Sequence, residues 1–136
     1  MKLIAQVKLL PTPEQANALR KTLEVANAAC NYISAQVWDN KIFRQFSIHK
    51  LTYYSVKEIF GLTAQVVVRC ISKVADAYKL DKKTKRTFKP HGAIAFDNRI
   101  LTYKLDKMEL NIWTVEGRQK MPFACGKRQL ELLRGQ

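Results

Sequence analysis

The sequence predicts an α+β protein: a β-barrel-like wedge domain, made of an N-terminal strand and C-terminal antiparallel strands, carrying a three-helix insert. Three observations lead there. Residues 1–10, MKLIAQVKLL, alternate apolar and polar, the period of a half-buried strand. After Pro13 the apolar spacing lengthens to steps of three and four, which is helical. From Thr87 the period returns to two. A single strand leaves its backbone groups unpaired, so the first strand is expected to join the later ones. That assigns 1–12 and 81–136 to the sheet domain and 13–80 to the helical insert.

Each element has its own signals. In the first strand Leu3, Ala5, Val7 and Leu9 face one way and Lys2, Gln6 and Lys8 the other. In PTPEQ, Thr12 is an N-cap, Pro13 suits the first helical position, and Gln15 closes a capping box. Ala16, Leu19, Leu23, Ala26, Cys30, Ile33 and Val37 then form a narrow seam, suited to packing helix on helix, with an end expected near Asn40. A second helix is expected from about Ser47 to Gly61, a good residue just past a helix end. Thr63 is the expected N-cap of a third. Its buried face is Val67, Cys70, Ile71, Val74 and Tyr78, and the opposite face is Gln65, Arg69, Ser72 and Asp76. Short strands follow at 93–96, 99–105, 108–115 and 118–124, separated by turns at Asp97-Asn98, Asp106-Lys107 and Glu116-Gly117. KRQLELL reads as a brief closing helix.

The chain has 136 residues, 47% of them hydrophobic, enough for a compact core. Lys and Arg outnumber Asp and Glu by 24 to 11, a net +13. Residues 1–68 hold 8 basic and 4 acidic side chains, and residues 69–136 hold 16 and 7. Such a surplus favours a polyanionic partner, most simply nucleic acid, the alternative being a merely soluble basic protein. Cys30, Cys70 and Cys125 are far apart, and no CxxC or Cys/His cluster accompanies them. Buried free thiols in a reducing cytoplasm are the expected reading, with no metal or other cofactor. With no apolar span of membrane length in the sequence, a cytoplasmic protein with no membrane partner is expected.

Two constellations are candidates for nucleic-acid contact. Gln65, Arg69 and Lys73 lie near the start of the third helix. Gln can pair with adenine, Arg with guanine or phosphate, and a helix N-terminus offers free N–H groups; a plain solvated helix face is the competing reading. Residues 79–89, KLDKKTKRTFK, hold six basic side chains and one acid. Lys79, Lys82, Lys83, Lys85, Arg86 and Lys89 beside Phe88 suit a phosphate backbone with a base stacked on the ring. The same run also reads as a flexible connector, or as a solvated strand start. Tyr54, with Tyr53, could meet sugar or base edges, a half-buried tyrosine being the more common reading. Asp76, Asp97, Asp106, Glu109 and Glu116 are scattered, and no P-loop or GxSxG motif occurs, so no enzyme is expected.

In order, MKLIAQVKLLPTPEQANALRKTLEVANAACNYIS, GLTAQVVVRCISKVADAYK, FKPHGAIAFDNRIL and WTVEGRQKMPFACGKRQLELLRG resemble the N-terminal part of the OrfB/TnpB family. These are transposon-encoded RNA-guided nucleases related to type V CRISPR effectors. The resemblance implies a wedge β-barrel with an inserted helical recognition lobe, holding guide RNA and reading a short target-adjacent DNA motif. It places Thr63 and Gln65 against that motif, followed by Arg69 and Lys73. Family members continue into a RuvC-like nuclease domain and usually a zinc ribbon, absent from these 136 residues. The expectation is therefore a non-catalytic nucleic-acid-binding relative that modulates transposition or transcription. The alternative is an interaction fragment that binds no nucleic acid. An incomplete barrel exposes a strand edge, so a homodimer, or pairing with a full-length relative, is also expected.

Overall fold

A computed structural model describes residues 4–135. Its element order is β1 (Lys8–Leu9), α1 (Pro13–Asn40), α2 (Gln45–Phe60), α3 (Ala64–Leu80), β2 (Leu101–Lys104), a 3-10 turn (Leu105–Lys107), β3 (Glu109–Thr114), β4 (Gly117–Ala124) and α4 (Lys127–Arg134). The fold is α+β. The described residues form two compact units, one running up to Leu19 and resuming at Asn98, the other spanning Arg20–Asp97.

In the first unit the strands form one antiparallel sheet ordered β1-β4-β3-β2. It is an open sheet and does not take the barrel-like form expected from the sequence. Four strands are too few to curl the two edges together, and β1 contributes only Lys8 and Leu9, opposite Ala124 and Phe123. The alternation in the N-terminal segment holds from Ile4, with Ala5, Val7 and Leu9 half-buried and the residues between them exposed; Lys2 and Leu3 lie outside the described residues. Leu110, Met121 and Phe123 centre the core, and Val7, Leu9, Leu19, Leu105 and Leu133 pack around them. The β3–β4 hairpin closes where Thr114 pairs with Gly117. Thr114 Oγ1 donates to the Gly117 carbonyl and accepts from the Glu116 amide.

The helical unit follows the apolar pattern closely. Ala26, Cys30, Ile33 and Val37 of α1, Ile48 and Val56 of α2, and Val67, Cys70, Ile71, Val74 and Tyr78 of α3 are all buried. Burying each Ile or Val side chain contributes about 1.5–3 kcal/mol. α2 ends at Gly61, whose φ of 62° closes the helix by returning its amide to the Lys57 carbonyl. That left-handed conformation strains residues with a Cβ. Among the described residues no helix is long and apolar enough to cross a membrane.

The two expected caps behave differently. Thr12 and Gln15 form the reciprocal box: Gln15 N donates to Thr12 Oγ1 at 3.2 Å, and Thr12 N to Gln15 Oε1 at 3.0 Å. Thr63 precedes α3 but makes no side-chain cap, and its Oγ1 is buried with no hydrogen-bond partner. Thr12→Ala should therefore cost about 1 kcal/mol. Thr63→Val removes an unsatisfied buried hydroxyl and should be neutral or slightly stabilising. Paired urea melts check both; a larger loss for Thr63→Val would show that its hydroxyl does cap.

The expected strand at 93–96 does not form. Ala93–Phe96 alternate in exposure as a strand would, but no described strand pairs with them. By compactness the chain divides after Leu19 and after Asp97.

Candidate nucleic-acid interface

The expected reading face of α3 is divided by the fold. At its start Gln65 lines a cleft of about 520 Å³ with His49, Lys50, Tyr53, Tyr54, Ala64 and Val68. Tyr54 is 81% exposed there, and Tyr53 stacks on His49 with ring centroids 4.6 Å apart. One turn on, Arg69 is half-buried. Its Nη2 lies 3.9 Å from the Asp97 carboxylate, and its Nε is buried without a hydrogen-bond partner. Lys73 is committed further still. Its ammonium donates to Asn27 Oδ1 at 2.7 Å and to the Ala93 carbonyl at 2.9 Å, and sits 5.2 Å from the Phe88 ring centroid. Ser72 accepts from Gln45 Nε2. Arg69 and Lys73 thus do not join Gln65 on an open helix face, because the chain between Lys89 and Asp97 passes along that side of α3. Thr63, whose hydroxyl oxygen is buried, is not displayed beside Gln65 either.

The basic run is divided: Lys79 lies in the last turn of α3, and residues 82–84 form bends. From Arg86 to Gly92 the chain is an extended strap tied to α1 by a row of polar side chains at helical spacing: Asn27, Asn31 and Ser34. Buried Asn27 donates from Nδ2 to the carbonyls of Pro90 (3.1 Å) and Gly92 (2.9 Å). Asn31 holds Phe88 at both backbone groups, accepting from its amide at 2.7 Å and donating to its carbonyl at 3.1 Å. Ser34 Oγ donates to the Arg86 carbonyl, while the Tyr78 hydroxyl accepts from the Arg86 amide at 3.1 Å. Gly92 lies close to its neighbours: a Cβ there would sit 3.3 Å from Lys73 Nζ and from the Lys89 carbonyl, so a larger residue would need them to shift slightly.

This anchoring sorts the six cations. Lys79 lies 3.6 Å from Asp76 and Arg86 3.7 Å from Asp81. Lys82, Lys83, Lys85 and Lys89 are exposed, and no ion pair is recorded for them among the described residues. Arg86 and Phe88 face α1 and are half-buried, whereas Lys85, Thr87 and Lys89 between and beside them are exposed. That is the two-residue alternation of an extended chain. Phe88, read from sequence as a stacking platform, instead lies partly covered near Lys73.

No protein-family model matches the chain, and no curated protein or solved structure matches it. The geometry offers two things: exposed lysines on and just before a tethered stretch of backbone, and an aromatic-lined cleft ending at Gln65.

The sequence reading missed the anchoring row. Its signal was present in ANAACNYIS, where Asn27, Asn31 and Ser34 recur at steps of four and three beside the apolar seam. The cysteines are used in packing. Cys30 and Cys70 are buried and Cys125 half-buried, all free thiols. Cys70 Sγ points at the Ala26 carbonyl 3.5 Å away. Its hydrogen bond with Cys30, reinforced by burial, pushes the Cys70 thiol well above its ordinary pKa, so it stays protonated. Among the described residues no group of three or more His, Cys, Asp or Glu side chains could hold a metal ion.

Proposed function

We propose that this protein binds nucleic acid through the phosphates, using Lys82, Lys83, Lys85 and Lys89, and acts by occupancy and not by catalysis. One observation carries the reading: these four lysines are exposed, Lys85 and Lys89 flanking the Arg86–Phe88 backbone that is hydrogen-bonded to α1 and α3, and Lys82 and Lys83 just before it. Neutralising phosphates with such a row releases condensed counterions, which drives binding. Taken with the OrfB/TnpB-like blocks, the ligand is guide RNA and/or target-adjacent DNA. On this reading the open sheet is part of a wedge barrel, and the helical unit is a recognition lobe. Tyr54 and Gln65 add contacts to the DNA motif. Binding would modulate transposition or transcription in the cytoplasm, by competing for the RNA or by covering the DNA.

A filter-binding titration with labelled single- and double-stranded oligonucleotides tests this. Four phosphate contacts predict a fall in affinity of roughly 50- to 150-fold between about 50 and 200 mM salt. Affinity that ignores salt, or no binding at low salt, ends the proposal. A second reading is favoured by the sheet edges: β1 and β2 are its outermost strands, and an open strand edge is a template for pairing. The chain would then pair with a second copy, or with a full-length relative, without touching nucleic acid. The same titration separates the two, because the second reading leaves every oligonucleotide unbound.

A further inference from the structure

The anchoring of the strap assigns a role to a residue that displays no charge. A run of like charges repels itself and, left free, samples many conformations. A binding site built on such a run must order it at the moment of binding, which weakens affinity. Here the ordering is already done in the folded protein. Asn31 is central to it, because both polar atoms of one side chain are spent on the backbone of Phe88. That is the two-bond pairing a neighbouring strand residue would make. Arg86 is likewise held at both backbone groups, by Ser34 and Tyr78. These bonds fix the chain in an extended form whose side chains alternate, with Arg86 and Phe88 half-buried and Lys85 and Lys89 exposed.

We infer that Asn31 is a positioning residue for polyanion binding: it holds the strap in its binding conformation without touching the ligand. The inference rests on the nucleic-acid reading above and adds to it a residue that charge arithmetic cannot find. Releasing Phe88 restores freedom to the residues around it, and reordering about one residue on binding corresponds to roughly a tenfold loss of affinity.

Fluorescence anisotropy with a labelled single-stranded oligonucleotide, repeated over a salt series, tests the inference. Asn31→Ala is expected to bind about tenfold more weakly than the wild type with an unchanged salt slope, because the same lysines still meet phosphates. The Phe88 amide should exchange with solvent faster. Asn31→Gln keeps both amide groups on a longer side chain and adds no charge, so it should fall between the two. In a background with Lys82, Lys83, Lys85 and Lys89 changed to alanine, Asn31→Ala should cause no further loss, which a general effect on folding would not reproduce. Urea melts confirm that the variants are folded; should Asn31→Ala melt under the assay conditions, Asn31→Gln carries the comparison. Wild-type affinity in Asn31→Ala, a salt slope that falls along with affinity, or an additive loss in the lysine-free background would each overturn the assignment. Failure of the wild type to bind at all would overturn instead the functional reading on which it rests.

Discussion

Replacing Lys82, Lys83, Lys85 and Lys89 together by alanine should weaken nucleic-acid binding about 30- to 1,000-fold at low salt. Exposed ion pairs contribute roughly 0.5–1 kcal/mol each, and four of them sum to about 2–4 kcal/mol. The loss should be similar for different oligonucleotide sequences, because phosphate contacts carry no sequence information. The slope of log affinity against log salt should flatten by about one unit per lysine removed. Stability should hardly change, since all four side chains are exposed. The matched control changes Lys79 and Arg86, which lie near Asp76 and Asp81. If that pair of substitutions flattens the slope as much as the other four, the division of the basic run into displayed and engaged cations is wrong. The fold loses little from exposed lysines, so the comparison isolates the ligand.

Asn27→Leu should destabilise the protein by about 2–4 kcal/mol and lower its melting temperature by roughly 10 °C. Asn27 is fully buried and bonded at both ends of its amide. Nδ2 donates to the carbonyls of Leu23, Pro90 and Gly92, and Oδ1 accepts from the Lys73 ammonium. Leucine fits the volume but answers none of these groups. The largest part of the cost is Lys73, whose charge keeps only the Ala93 carbonyl; a partly buried cation stripped of a partner is expensive. A urea melt checks this by its midpoint, with an unchanged slope if only stability has moved. A midpoint equal to the wild type would mean that the strap contributes nothing to the native state. Asn27→Asp should be milder, since a carboxylate keeps the contact to Lys73 while losing the donors to the strap.

These two expectations concern the same segment, and it is the segment the sequence described least well. Its composition was plain: six cations in eleven residues, KLDKKTKRTFK. Whether those cations were free, paired or anchored depended on Asn31 and Ser34, more than fifty positions away. Lys73 shows the same dependence. By helical spacing it belongs near Gln65 and Arg69, yet its ammonium is used by Asn27 and Ala93. Phe88 reads as a stacking ring only until the strap lays it, partly covered, beside Lys73.

What the sequence determined alone is what short-range physics controls. Apolar spacing placed α1, α2 and α3 to within a few residues, Gly61 ended α2, and the Thr12–Gln15 box began α1. Alternation found β2, β3 and β4, and the need to satisfy its backbone joined the first strand to the later sheet; that its partner is β4 came from the structure. The tertiary structure decided the remainder: the open sheet, the missing strand at 93–96, the idle hydroxyl of Thr63 and the strap. Each turned on whether a polar group met a partner distant in the chain, as the strap carbonyls did and the Thr63 hydroxyl did not. Hydrophobic periodicity records which face of a segment is buried; it carries no information about which distant amide, hydroxyl or carboxylate will meet a given carbonyl or ammonium.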